Sequence, residues 1–454
     1  MNYFFVAGFD FGTSYSKVVI QEQLTKIQKV VIFDQEHGAL FPSYVKVSKG
    51  RISGPDDDAK GTIVSYPKLL AADAVVKSPV FQSVTSLNAA ELMSLVAAKD
   101  KRQFAELVLI RYFLSVIQGI HSFIQRSRDW SNFDTSTDPL VIQIAVPTGL
   151  MDKADRKVES LMRNCLCAAT NYDDLHLGGE SSSTVKQLNE ALDLWNGMNK
   201  EEQSPLLDRC VTYPEVAAGV QPILQSRNVR EGKYITLDVG AGTIDLNIFH
   251  KWTRFDNARP LDYWACEVKP LGFSRLEKTS THARTQVHEI SVNTIPESLL
   301  KKQLETAIHS VIRQAFEFEP SLSAWDRETF AYMWGGGSEH PAYGECFLEV
   351  MQKFNIGIHM INQLPVPNND LILPNGLKFG RIAIAYGLSY YHVNLRSIRL
   401  PSSIEKFSEL YGLKNSYHSA TVASPPNYSY EDCSCRGNPS CFKCGGSGHI
   451  KIEV

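Results

Sequence analysis

Asp10 and Asp238 each close an apolar run and open a turn made of Gly, Thr, Ser and Ala. The two segments are GFDFGTSYSK at 8–17 and TLDVGAGTID at 236–245, about 228 residues apart. A turn poor in side chains exposes backbone N–H groups, and with neighbouring hydroxyls these make a concavity suited to phosphate oxygens. An aspartate at its mouth adds the hard oxygen ligand that Mg²⁺ takes, directly or through retained water. Two such turns facing each other would grip a Mg-nucleotide from both sides. Phosphoryl transfer needs mainly positioning and neutralised charge, so this is sufficient machinery for it. One Gly-rich turn after a strand often does no more than reverse the chain. Two with the same Asp-x-Gly core are a stronger pattern.

A third glycine cluster, MWGGGSEHP at 333–341, follows the apolar run AYM. With it the chain resembles the superfamily of actin and the seventy-kilodalton heat-shock chaperone ATPases, whose phosphate-one, phosphate-two and adenosine motifs come in this order. The resemblance implies that Asp10 organises magnesium and that Gly12, Thr13 and Ser14 wrap the β- and γ-phosphates. It gives Asp238 the second acidic role, Gly240, Gly242 and Thr243 the second phosphate loop, and Asp245 a bracing role. Gly336, Gly337 and Ser338 match the adenosine motif. Lys17 stands where actins place a phosphate-contacting lysine and the chaperones a neutral residue; as a residue it is either a point charge for phosphate or a solvated strand lysine. Lys68, in SYPKLLAAD, resembles the lysine that positions the attacking water.

The chain departs from the pattern in two places. YPEVAAG at 213–219 puts Tyr213 where the family has a catalytic glutamate, with Glu215 two residues on as the substitute, so slow hydrolysis is expected. No arginine follows the adenosine glycines, where Glu339 and His340 stand, so preference for adenine rests on the resemblance alone. The expected catalytic set is Asp10, Lys68, Asp238 and Glu215, with Asp10 and Asp238 at magnesium.

These residues need elements to hold them. The opening alternates apolar and polar residues as short antiparallel strands in YFFVAGFDFG, SKVVIQEQ, KVVIF and SYVKVS. VIQIAVPTGL reads as a buried strand, and MDKADRKVESLMRNCLCAAT as the helix after it. LVLIRYFLSVIQGIHSFI at 107–124, interrupted by Arg111, Gln118 and His121, reads as a buried amphipathic helix and not a membrane span. The more polar stretch 171–209, with SSST at 181–184, reads as an insertion or flexible excursion. The expected fold is α/β: a two-lobed actin-like ATPase of duplicated mixed-sheet, RNase H-like domains with inserted upper subdomains, plus a small zinc module. Its first lobe spans 1–231 with an upper piece at about 49–101, and its second 232–395 with an upper piece at about 273–330, which would include PESLLKKQLETAIHSVIRQAFEF. FGRIAIAYGLSYY at 379–391 resembles the helix that returns to the first lobe. A linker follows at 396–430, then the zinc module at 431–454.

At 454 residues and 43% apolar content the chain can bury large cores. A net charge of −3 gives no global field toward nucleic acid or anionic lipid. No secretory signal is legible at the N-terminus, so cytoplasmic residence is expected. Of nine cysteines, Cys165, Cys167, Cys210, Cys266 and Cys346 are scattered and read as buried free thiols. The rest form CSCRGNPSCFKC, which places Cys433, Cys435, Cys441 and Cys444 as C-x-C-x₅-C-x₂-C. Four thiolates so close can converge on Zn²⁺, with a disulfide or redox-active thiols as the other readings. CFKCGGSG resembles a cysteine repeat of J-domain co-chaperones. So small a module folds only with its metal and would dock a partner protein or nucleic acid.

The reading that follows is an ATP/ADP-driven, heat-shock-chaperone-like switch without a peptide-binding domain, since too little chain remains for one. Its rivals are a filament-forming actin relative, which nucleotide-dependent sedimentation would reveal, and a sugar or acid kinase, which would transfer phosphate to a small molecule.

Overall fold

The computed structural model describes residues 3–76, 89–135, 137–153, 156–176, 182–225, 230–252, 261–276, 294–321, 325, 329–358, 361–362, 364–365, 371–391 and 398–406, and the backbone of 428–432 and 449–453. The protein is mixed α/β. Its first half carries the strands β1 (Phe5–Asp10), β2 (Tyr15–Glu22), β3 (Gln28–Val30), β4 (Phe41–Pro42), β5 (Tyr44–Ser48), β6 (Arg51–Ser53), β7 (Thr62–Ser65), β8 (Leu140–Val146), β9 (Ser182–Thr184) and β10 (Cys210–Pro214). Its second half carries β11 (Gly232–Val239), β12 (Ile244–Lys251), β13 (Leu261–Lys269), β14 (Thr329–Trp334) and β15 (Ile398–Arg399).

Two sheets repeat one plan. In the first, ordered β10-β8-β1-β2-β3, β1 pairs antiparallel with β2 and parallel with β8. In the second, ordered β14-β11-β12-β13-β15, β11 pairs antiparallel with β12 and parallel with β14. β1, β8, β11 and β12 are buried along their whole length, as strands covered on both faces must be. The apolar helix Lys101–Arg126 packs Phe113 edge-on against Phe9 of the first sheet and Phe11 just past it. It is long and apolar enough to cross a membrane, yet 72% of its most apolar window lies inside the protein. Arg111, in its middle, is neutralised by Asp57 at 3.0 Å.

On the second sheet alternation decides the layers. Ile235 and Leu237 face a core filled by Leu300, Leu304 and Ile308, while Tyr234 and Phe249 face a core shared with Val19, Val216 and Tyr386 from other parts of the chain. The helix Glu297–Ala315, expected in an upper subdomain, therefore packs on the face of the sheet, because its apolar stripe matches β12 and β13. Residues 277–293 of that expected subdomain lie outside the described residues.

A small third sheet, β7-β5-β6-β9, packs against the helix Lys101–Arg126. The SSST run is no loose excursion within its described part: 182–184 form β9 against β6, and Thr184 caps the helix Val185–Gly197 through a reciprocal pair with Gln187. The single helix expected from Met151 onward is instead two, Thr148–Lys153 and Lys157–His176, with Arg156 between them at φ 57°. The short helix Ala383–Leu388 packs back on β1 and β2. There glycine is obligatory, since a methyl on Gly8 would fall 2.1 Å from the Ala385 carbonyl and one on Gly387 1.9 Å from that of Ala218.

Candidate active site

The two Asp-headed turns are β-hairpins in the same register. Asp10 pairs across β1–β2 with Lys17, and Asp238 pairs across β11–β12 with Asp245. One register position thus holds an ammonium in the first hairpin and a carboxylate in the second. Lys17 Nζ donates to Asp10 Oδ2 at 2.8 Å. The turns face each other: a methyl on Gly242 would lie 2.6 Å from Thr13 Cγ2 and 3.5 Å from Leu69 Cδ1. Gly12 is required for a local reason, since its methyl would meet the Tyr15 carbonyl at 2.2 Å. Ser43, which the sequence did not mark, ties the first turn down. Its N–H donates to the Ser14 carbonyl and its hydroxyl to that of Gly12, both at 2.8 Å. The second turn is braced by residues 272–274, whose N–H groups donate to the carbonyls of Gly242, Gly240 and Ala241. The only hint of that brace in the sequence was the isolated glycine of LGFS.

Lys68 and Glu215 meet beside these turns. Lys68 lies in the first turn of the helix Pro67–Val75, and Glu215 opens the helix Glu215–Gly219 directly after β10. Lys68 Nζ donates to both carboxylate oxygens, at 3.0 and 2.9 Å, and both residues are buried. Tyr213, on β10, is half-buried and its hydroxyl pKa is pushed up by burial. The cleft then holds four carboxylates, Asp10, Glu215, Asp238 and Asp245, against two ammonium groups, Lys17 and Lys68.

Their titration follows from burial first and from that imbalance second. Burial raises Asp238 well above the carboxylate range, and the charges of Glu215, Asp10 and Asp245 add to it. Burial likewise raises Asp245 to about 7, with Glu215 adding to the rise. Asp245 Oδ1 accepts from Asn247 Nδ2 at 2.9 Å, while Oδ2 has no partner among the described residues. Glu215 is raised by burial and by Asp10, against the pull of Lys68. Burial works against the Lys68 ammonium, but Glu215, Asp10 and Asp238 together raise its pKa.

The third glycine cluster leans on the second hairpin. Gly335 has φ +91°, and a methyl there would fall 2.3 Å from Asp238 Oδ1. Gly337 N–H donates to the Val239 carbonyl at 2.9 Å, and Ser338 Oγ to that of Gly335 at 2.8 Å. Gly336, Gly337 and Ser338 were the residues marked in the sequence; Gly335, which touches the acidic residue, was not. The sequence matches no protein-family model and none of the curated proteins.

An excess of buried carboxylates with one orphaned oxygen suits a divalent cation that arrives with an anion. Among the described residues no group of three His, Cys, Asp or Glu side chains is gathered to hold a metal by itself. Cys433, Cys435, Cys441 and Cys444 lie outside the described residues. The strands on either side of them, β16 (Tyr428–Asp432) and β17 (His449–Glu453), pair antiparallel with Asp432 opposite His449.

Proposed function

We propose that the chain is a Mg-ATP-binding ATPase of the two-lobed, actin-like kind, acting as a heat-shock-chaperone-like switch. The observation that carries this reading is the contact of Gly242 with Thr13, which sets two Asp-headed hairpins of one register face to face. A triphosphate between them would meet backbone donors from both turns. Lys17, now on Asp10, would pivot toward phosphate oxygen. Asp10 and Asp238 would hold the Mg²⁺ shell, and that ion would neutralise charge on the phosphates.

For hydrolysis, a water held by Lys68 attacks the γ-phosphorus and the bond to the β–γ bridging oxygen breaks. The products are ADP and phosphate, and Glu215 takes the proton. Glu215 is buried and raised, which favours proton uptake, but both its oxygens already accept from Lys68. A base so occupied is slow. Basal turnover is expected below about 1 s⁻¹, the low end of ordinary enzymes. Phosphate release from Mg-ATP by the purified protein measures it. Fast unstimulated turnover would overturn the role of the Lys68–Glu215 pair. Release of ADP and phosphate, with no phosphorylated small molecule, separates this reading from a kinase.

The tail serves docking in this account. Pairing of β16 with β17 sets Asp432 opposite His449, the residues that flank the segment with the four cysteines, whose short spacings suit Zn²⁺. Hydrolysis opens and closes the cleft, and a protein partner bound at the tail senses it.

A further inference from the structure

The polar stretch after β9 builds two helices that each begin with a reciprocal cap. Thr184 exchanges hydrogen bonds with Gln187 at the start of Val185–Gly197, and Asn199 does so with Glu202 at the start of Lys200–Arg209. Leu188, Ala191 and Trp195 bury one face of the first helix in the large core of the first half. Its other face is open. Lys186, Glu190, Asp193, Leu194 and Gly197 recur there at three- and four-residue spacing and so form one exposed stripe, about 17 Å long. With Glu202 they line a groove of about 920 Å³.

Charge decides what such a groove accepts. Glu190, Asp193 and Glu202 set three carboxylates against one ammonium, Lys186, and neither Glu190 nor Asp193 has an ion pair among the described residues. The groove therefore attracts cationic side chains and repels phosphate, which disfavours nucleic acid and anionic lipid as occupants. Leu194 is 38% exposed among these charges, whereas Leu188, on the other face, is 1% exposed. A leucine set between carboxylates favours a partner that brings an apolar group together with its charge. Gly197 ends the stripe. Its φ is not positive, and a methyl there would meet nothing within 4 Å among the described residues. Neither backbone conformation nor packing calls for glycine, and glycine weakens a helix. What it leaves is bare backbone at the end of the groove, where another chain can approach closely.

We propose that this groove docks a basic amphipathic helix of a partner protein. Lys or Arg side chains of that helix lie over Glu190, Asp193 and Glu202, an apolar side chain covers Leu194, and its backbone comes close at Gly197, in the helix-in-groove manner. None of these residues belongs to the cleft, so the inference is independent of the nucleotide reading. The probes are two fluorescein-labelled peptides of equal charge, one with Lys and Leu at amphipathic helical spacing and one with Ser in place of Leu, titrated with the full chain by anisotropy. The wild type is expected to bind the Lys/Leu peptide about fivefold or more tighter than the Lys/Ser peptide. Glu190→Lys combined with Asp193→Lys is expected to weaken the Lys/Leu peptide about tenfold or more, Gly197→Phe about tenfold and Leu194→Ser about fivefold. Glu345→Lys combined with Glu349→Lys makes the same charge change on the helix Pro341–Lys353 of the second half and should leave affinity within about twofold. Circular dichroism melts report that each variant is folded. The proposal is overturned if the wild type binds neither peptide or binds both equally. It is also overturned if the two charge-reversed proteins lose affinity alike, or if Gly197→Phe and Leu194→Ser both bind as the wild type does, since only diffuse attraction to an acidic surface would then remain.

Discussion

Asp245 is a carboxyl whose proton the folded protein keeps. Its pKa is raised from 3.8 to about 7 by burial first and Glu215 second. Between those values the folded chain binds a proton that the unfolded chain has released, so this stabilisation is full below about pH 4 and is lost as pH rises toward 7. Asp245→Asn should therefore raise the unfolding temperature of the ligand-free protein at pH 8 by about 2 °C or more and change it little at pH 4. Equal shifts at the two pH values would contradict the assignment. The Lys68–Glu215 pair carries an asymmetry of the same origin. Lys68→Ala leaves four buried carboxylates with Lys17 alone and should cost about 3–5 kcal/mol in denaturant unfolding. Glu215→Gln leaves Lys68 the attraction of Asp10 and Asp238 and should cost clearly less. A larger loss for Glu215→Gln would mean that the cleft lacks the negative excess. Asp10, Lys17 and Asp238 were legible because a turn motif sits beside each. The Lys68–Glu215 contact spans 147 residues, and no local pattern announces such a pairing. Ser43 was missed for the same reason, since it ties down a turn about thirty residues earlier in the chain.

The hairpin is the element that repeats, and its legibility came from the Asp-to-turn spacing. The short strands of the opening were readable from alternation, whereas the parallel pairing of β8 with β1 was not, because parallel partners are joined by long crossovers. The helix Glu297–Ala315 shows the limit of composition. Charge and helix formers revealed its existence, but its layer is set by Leu300, Leu304 and Ile308 meeting β12 and β13. The break at Arg156 was equally hidden, since nothing in MDKADRKVES marks a left-handed residue. Close approach of elements is where substitution is most informative. Gly387→Ala would put a methyl 1.9 Å from the Ala218 carbonyl, on the helix that begins with Glu215. It should destabilise the protein by about 1–3 kcal/mol and slow ATP turnover by moving Glu215. Gly197→Ala, with nothing within 4 Å, should do neither. Denaturant midpoints and phosphate release on both variants check this, and indistinguishable variants would refute the packing argument.

Across the whole molecule, two sheets share one plan, and one buried cluster draws residues from both. The tail is a separate matter. β16 pairs only with β17 among the described strands, so loss of a tail metal should leave the nucleotide cleft intact. Cys441→Ser is expected to lower zinc content from one ion per chain to near none with Mg-ATP affinity within about twofold of wild type. Unchanged zinc would remove the metal assignment, and lost ATP affinity would make the tail part of the cleft. The central claim is that the two facing hairpins hold Mg-ATP, and calorimetric titration of the wild type, Asp10→Ala and Asp238→Ala with ATP, with and without Mg²⁺, tests it most directly. The account predicts one site on the wild type, Mg²⁺-dependent affinity, and a loss of tenfold or more in each variant, about 1.4 kcal/mol or above. Mg-ATP binding of equal strength in the wild type and both variants, or no binding to the wild type at all, would contradict it.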